Sequence, residues 1–132
     1  MSTTTTIIAK VLQVGVPNRN GRVYPPEAVQ AMIEQANKRI AEGTLLGELG
    51  EVEGTSVTLD NVSHIVRGLH LEGDTVVATI ELMNTPKGET LRELLKIEGG
   101  PVFRTRGTGL VDEHGVVSQY QLISVDAVMD GA

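Results

Sequence analysis

Two helical segments that begin at prolines interrupt a chain made otherwise of extended, β-branched stretches. The first follows Pro25–Pro26 and repeats apolar residues at helical spacing until Gly43, and the second follows Thr85–Pro86 and ends near Gly99. Proline loses no useful amide in the first turn of a helix, and glycine is a common residue just beyond the last turn. The chain is therefore predicted to combine two helices with a sheet.

Six extended segments surround the two helices. The turn residues at Gly73–Asp74 and Asp112–Gly115 predict hairpin connections between some of them. The segments cover Ile7–Val14, Leu45–Leu49, Val62–Leu71, Thr75–Met83, Val102–Val111 and Val116–Val128. The resulting order, β-α-β-β-β-α-β-β, predicts an α+β fold with a mainly antiparallel, barrel-like sheet.

Length and composition fit a single domain over residues 1–132. A chain of 132 residues with 40% hydrophobic and 21% charged residues can bury one core and is too apolar for disorder. The β-prone Thr3–Thr6 tract makes residues 1–6 either an N-terminal arm that pairs with a neighbouring subunit or a frayed end.

Composition also excludes several kinds of site and partner. The chain has no cysteine, which removes disulfides and thiolate chemistry. Its formal net charge is -6 and its aromatic residues are Tyr24, Phe103 and Tyr120, so we expect no nucleic-acid partner. No apolar run approaches the roughly 20 residues that span a bilayer, so we expect no membrane partner.

No residue pattern predicts a metal or a cofactor. His64 and His70 are separated by about 20 Å along one predicted strand and cannot share an ion. The glycines at Gly107 and Gly109 lack the lysine of a phosphate loop. Ser63 and His64 are adjacent, and adjacent strand residues point to opposite faces, so we do not expect a nucleophile–base pair there.

Two arginines, Arg104 and Arg106, alternate along a predicted strand and therefore share one face. Such a pair is suited either to hold a carboxylate or phosphate ligand or to pair with some of the 17 acidic residues of the chain. The intervening Thr105 is expected to point to the opposite face.

Several motifs, taken in chain order, resemble those of the prohead core proteases of tailed bacteriophages, a family distantly similar to herpesvirus assembly proteases. The motifs are Asn18–Pro25, Leu46–Leu49, Val62–Ile65, Glu72–Asp74, Thr85–Gly88, Arg106–Gly109 and Val125–Val128. The resemblance implies the fold of these serine proteases for nearly the whole chain.

The chain departs from the family pattern at the two positions that carry the chemistry. The family has a catalytic histidine shortly after Gly-Glu-Leu, and Glu51 stands at that position here. The family's nucleophile is the first serine of Ser-Ser-Arg-Gly, and Arg104 stands there. The surrounding residues Arg106, Gly107, Gly109 and Asp126 match the family and are expected to support the fold.

The resemblance and its departures together predict that the chain is not an enzyme. No catalytic residue is then expected, since loss of a nucleophile or base typically removes about 10⁶ in turnover. We expect a capsid decoration or minor head protein that binds the major capsid protein and forms a homo-oligomer. It would reside in the virion head, after assembly in the host cytoplasm.

Two alternatives remain open at this point. The chain is either a divergent active maturation protease, with Thr105 as a replacement nucleophile, or a regulator of the protease or scaffold during assembly. A separate hypothesis concerns Glu51 and Arg104, which we expect to form an ion pair that ties two strands together.

Overall fold

The computed structural model describes residues 4–129, and its elements follow the predicted order. They are β1 (Thr6–Gln13), α1 (Pro26–Glu42), β2 (Leu46–Glu48), β3 (Val62–Glu72), β4 (Thr75–Leu82), α2 (Pro86–Leu94), β5 (Val102–Val111) and β6 (Val117–Val128), with a 3₁₀ turn at Leu59–Asn61 before β3. The predicted α+β class, with two helices and mainly antiparallel strands, is confirmed.

The strands form two sheets. Strands β1, β4, β3 and β2 lie side by side in that order and pair antiparallel, whereas β5 and β6 form a separate antiparallel hairpin. The expected barrel is not found in residues 4–129. Strand β2 is only three residues long, and Leu49, just after β2, meets β6 through a single bridge to Ala127 instead of a continuous ladder.

Helix α1 covers the sheets with its apolar stripe. Pro26 occupies the first turn, and Gly43 ends the helix in the left-handed conformation with a φ of 73°. Val29, Met32 and Ala36 lie on one face at helical spacing and are buried, and the helix contacts β6 and β3. This packing places the main core between α1 and the sheets.

Helix α2 begins as predicted but ends earlier. The Thr85 hydroxyl oxygen accepts the N–H of Gly88 at 3.0 Å, as a helix N-cap does. We expected the helix to continue towards Gly99, but it ends at Leu94. Beyond that point the backbone bonds span three residues instead of four, as in the bond from the Ile97 N–H to the Leu94 carbonyl, so the chain closes into tight turns.

The N-terminal strand lies at the edge of the larger sheet. The Thr5 carbonyl already accepts the N–H of Leu82, and β1 starts at Thr6, so this part of the predicted arm belongs to the sheet. Residues 1–3 of that arm lie outside the described residues. Among residues 4–129, neither helix is long and apolar enough to cross a membrane.

Candidate functional site

Three charged side chains meet where β2, β5 and β6 come together. The Nε of Arg106 donates to Asp126 Oδ2 at 2.8 Å, and its Nη2 donates to Glu48 Oε2 at 2.6 Å. Glu48 is 1% exposed and Asp126 is 4% exposed. We call Glu48, Arg106 and Asp126 the buried trio; they link three strands through charge-assisted bonds in a water-poor region.

The remaining carboxylate oxygens of the buried trio also have partners. Asp126 Oδ1 accepts the N–H of Glu48 at 3.1 Å and the hydroxyl of Ser124 at 2.8 Å. Glu48 Oε1 accepts from the Asn61 side chain at 3.3 Å. Burial alone would lower the pKa of Arg106, but the hydrogen bonds and charges of Asp126 and Glu48 raise that pKa above its usual value. Arg106 therefore stays charged.

Ser63 and His64 form a hydrogen-bonded pair next to this region. Ser63 Oγ lies 2.7 Å from His64 Nδ1, and His64 Nε2 lies 2.6 Å from the carbonyl oxygen of Val125. Because a carbonyl only accepts, Nε2 carries the proton and Nδ1 accepts the hydroxyl proton of Ser63. We expected no nucleophile–base pair here because the two side chains should point to opposite faces; that reason is wrong, since Nδ1 is the ring nitrogen nearer the backbone and the short Ser63 hydroxyl reaches it.

The burial of Ser63 and His64 favours a structural role for this pair. Both residues are fully buried, and the His64 ring packs edge-on against Phe103 with ring centres 5.1 Å apart. Burial lowers the pKa of His64, against smaller opposing effects of the Val125 carbonyl and the Asp126 charge. A substrate cannot reach Ser63 without opening the core.

Gly47 allows β2 to lie close to both β3 and β6. A Cβ atom on Gly47 would lie 2.0 Å from His64 Nε2 and 2.3 Å from the Val125 carbonyl oxygen, far inside van der Waals contact. In the Gly-Glu-Leu motif, the glycine therefore permits the close approach of the strands, and Glu48 supplies a buried carboxylate.

A groove of about 690 Å³ opens beside the buried trio. Its walls come from β1, the Asn18–Arg22 turn, the loop after β2, and the β5–β6 hairpin. Both residues that the sequence matched to the family's chemistry, Glu51 and Arg104, line it, and both are exposed. Their predicted ion pair stays a prediction.

Thr105 also lines the groove, together with Tyr120. The Tyr120 hydroxyl donates to Thr105 Oγ1 at 3.2 Å, and burial raises the pKa of Tyr120 to about 12. The phenol therefore keeps its proton near neutral pH. Arg104 and Thr105 both line the groove and lie in a regular part of β5, so our expectation that their side chains point to opposite faces stays a prediction.

The matched motif residues of β5 and β6 separate into two roles. Arg106 and Asp126 join the buried trio, with Arg106 also at the groove wall. Gly107 and Gly109 line the groove, and a Cβ on Gly107 would lie 2.6 Å from the Tyr120 ring. No group of three or more potential metal ligands is found in residues 4–129.

Sequence reasoning missed Glu48 and Tyr120. Glu48 lies inside the apolar run Leu45–Leu49, and a carboxylate in such a run signals a buried partner of opposite charge. Tyr120 is one of three aromatic residues, but nothing local indicates that its hydroxyl contacts Thr105 across the hairpin.

Comparisons with known proteins agree with the motif pattern. A family model described as prohead core protein serine protease matches residues 3–130. The fold is similar to the solved structure of the bacteriophage T4 capsid assembly protease, with a TM-score of 0.85 and 24% sequence identity, over 93% of this chain and 80% of that one. No curated protein matches the chain.

These findings correct one expectation from the sequence. We expected a protein that is not an enzyme, but both the matching family and the structural neighbour are described as proteases and point to a peptidase. Neither description is that of a decoration or structural protein. With a match over nearly its entire length, the chain belongs to the prohead core protein serine protease family of bacteriophages.

Proposed function

We propose that this protein is a peptidase that cleaves head proteins during phage capsid assembly in the host cytoplasm. Family membership supports the class of reaction. The observation that carries the proposal to this chain is a groove lined by both Thr105 and Glu51, with the Thr105 hydroxyl oxygen accepting a hydrogen bond from Tyr120.

Thr105 is the proposed nucleophile. It follows Arg104 and thus occupies the second serine position of the family's Ser-Ser-Arg-Gly segment. Its oxygen accepts a hydrogen bond from Tyr120, which leaves its own proton available to an acceptor in the groove and favours negative charge on the oxygen. Glu51 is the proposed acceptor of that proton.

The proposed reaction proceeds through an ester. The Thr105 oxygen bonds to the carbonyl carbon of the scissile peptide, the C–N bond breaks, and the Thr105 proton passes through the Glu51 carboxylate to the leaving amine. Water then hydrolyses the ester, which releases the second product and restores the hydroxyl.

The proposed substrate is an extended segment of the major capsid protein. Two strands at the groove, β1 and β5, are edge strands of their sheets. Edge strands offer unpaired backbone groups to an extended peptide, so strand addition is a suitable mode of binding. Self-association of the chain stays a prediction.

A cleavage assay tests the proposal directly. Purified protein incubated with major capsid protein and scaffold should yield discrete fragments. Thr105→Ala should reduce the rate by about 10³ or more, because no hydroxyl remains to form the ester, and Thr105→Ser should retain cleavage. Thr90→Ala, which removes an exposed hydroxyl from α2 and does not line the groove, is the control and should cleave normally.

Two results would overturn this function. One is an absence of fragments with the unaltered protein under conditions in which it is folded. The other is equal cleavage by the Thr105→Ala variant, which would remove Thr105 from the reaction.

A further inference from the structure

Arg106 contacts more than the two carboxylates of the buried trio. Its Nη1 donates to the backbone carbonyls of Gly54 at 3.0 Å and Ser56 at 3.1 Å. Together with the bonds to Asp126 and Glu48, four of its five N–H donors have acceptors on three separate segments. One side chain thus connects the strands to the loop after β2.

This loop has little burial to hold it in place. Residues 53–56 are exposed, and Val52 and Val57 are half-buried. Its ends are fixed by backbone bonds, from the Gly50 N–H to the Ala127 carbonyl at 2.6 Å and from the Asn61 N–H to the Thr58 carbonyl at 3.0 Å. The middle of the loop therefore relies on polar contacts more than on the hydrophobic core.

We propose that Arg106 is a positioning residue that fixes the 51–57 loop and so holds Glu51 at the groove that Thr105 also lines. Asp126 and Glu48 orient the guanidinium on its buried side, and the Gly54 and Ser56 carbonyls receive its outer edge. The importance of this position for cleavage rests on the proposed function, whereas the position of the loop is measurable without activity.

The planar guanidinium suits this task better than another cation would. It donates in several fixed directions within one plane, which lets it satisfy two carboxylates and two carbonyls at the same time. A lysine ammonium has three donors at the end of a flexible stem and cannot reach all four acceptors. Replacement by lysine therefore keeps the charge and removes the alignment.

Hydrogen–deuterium exchange of the Arg106→Lys variant tests the proposal. Amide exchange at Gly50 and Asn61, whose N–H groups are hydrogen-bonded at the two ends of the loop, should accelerate at least tenfold, while β4 remains unchanged. Arg67→Lys is the matched control, because Arg67 pairs with Glu81 on an exposed surface and contacts no part of this loop in the bonds described. Unchanged exchange at Gly50 and Asn61, or an equal acceleration over the whole chain, would overturn the proposal.

A second variant protects the test against failure of Arg106→Lys to fold. Gly54 has a φ of 113°, which disfavours any side chain, and no atom lies within 4 Å of a Cβ built there. Gly54→Ala should thus displace the loop carbonyl without disturbing the buried trio, and exchange at Gly50 and Asn61 should again rise about tenfold. No change in this variant would contradict a role for the Gly54 contact.

Kinetics separate positioning from general support of the fold. In the cleavage assay Arg106→Lys should lower kcat by about 10²-fold and change KM little, since misplacing a reacting group costs turnover more than binding. Equal loss in kcat by Arg67→Lys would contradict this. If the unaltered protein cleaves nothing, the proposed function fails while the exchange result still decides the position of the loop.

Discussion

Glu48 is a charged residue in an apolar run, and its environment explains its presence there. Its carboxylate is almost fully buried and accepts from Arg106 and Asn61. The sequence places a carboxylate in a predicted strand, but it does not identify a partner 58 residues later in the chain. The pairing follows from the meeting of three strands, which is a property of the tertiary fold.

Neutralising Glu48 should destabilise the protein strongly. Glu48→Gln leaves Arg106 with one charged partner in a buried site, and breaking a buried pair costs about 3 kcal/mol or more in the free energy of unfolding. Glu81→Gln, which removes one member of the exposed Arg67–Glu81 pair, should cost less than about 1 kcal/mol. Urea unfolding followed by far-ultraviolet circular dichroism measures both, and equal losses would contradict the difference in burial.

At the scale of elements, local patterns predict the order of strands and helices but not their lateral contacts. The helix caps at Thr85 and Gly43 depend on contacts within one turn of the chain, so the local sequence is enough to predict them. The early end of α2, the three-residue length of β2 and the absence of a closed barrel within residues 4–129 depend on which surfaces meet. The Ser63–His64 contact was missed because side-chain alternation does not describe the reach of a short hydroxyl.

The crossing of β2, β3 and β6 should tolerate no side chain at position 47. Gly47→Ala places a methyl group 2.3 Å from the backbone oxygen of Val125, which cannot move without shifting a strand. We expect a loss of about 3 kcal/mol in the free energy of unfolding, at the upper end of overpacking effects.

Gly68→Ala is the control for this substitution. It also lies in a strand, but its nearest neighbour is the Thr79 side chain at 3.3 Å, which can adjust. Thermal or urea unfolding should show a loss below about 1 kcal/mol for this variant. A loss at Gly68 as large as that at Gly47 would contradict the tight crossing.

For the whole molecule, the buried His64 makes stability depend on pH. Burial lowers its pKa from the ordinary value of 6.5, so the unfolded chain takes up a proton at a pH where the folded protein does not. Acid therefore favours unfolding below pH 6.5, until the folded protein also binds the proton. Within this window the free energy of unfolding should fall by up to about 1.4 kcal/mol per pH unit.

Urea unfolding between pH 7 and pH 5 measures this slope. His64→Gln should flatten it, because the titrating group is removed, even though the variant is less stable at every pH. His70→Gln removes an exposed histidine and should leave the slope intact. The same slope in the protein and in His64→Gln would show that another group is responsible.

The buried trio also affects how the protein can fold during its synthesis on the ribosome. It joins residue 48 to residues 106 and 126, so its first and last members are 78 positions apart. Contacts of such long range form only after both segments have been synthesised, and loop closure over this length is slow compared with local hairpin formation. The part of the groove wall that β6 contributes is thus present only when β6 has emerged, so a nascent chain lacks the complete groove on which the proposed cleavage depends.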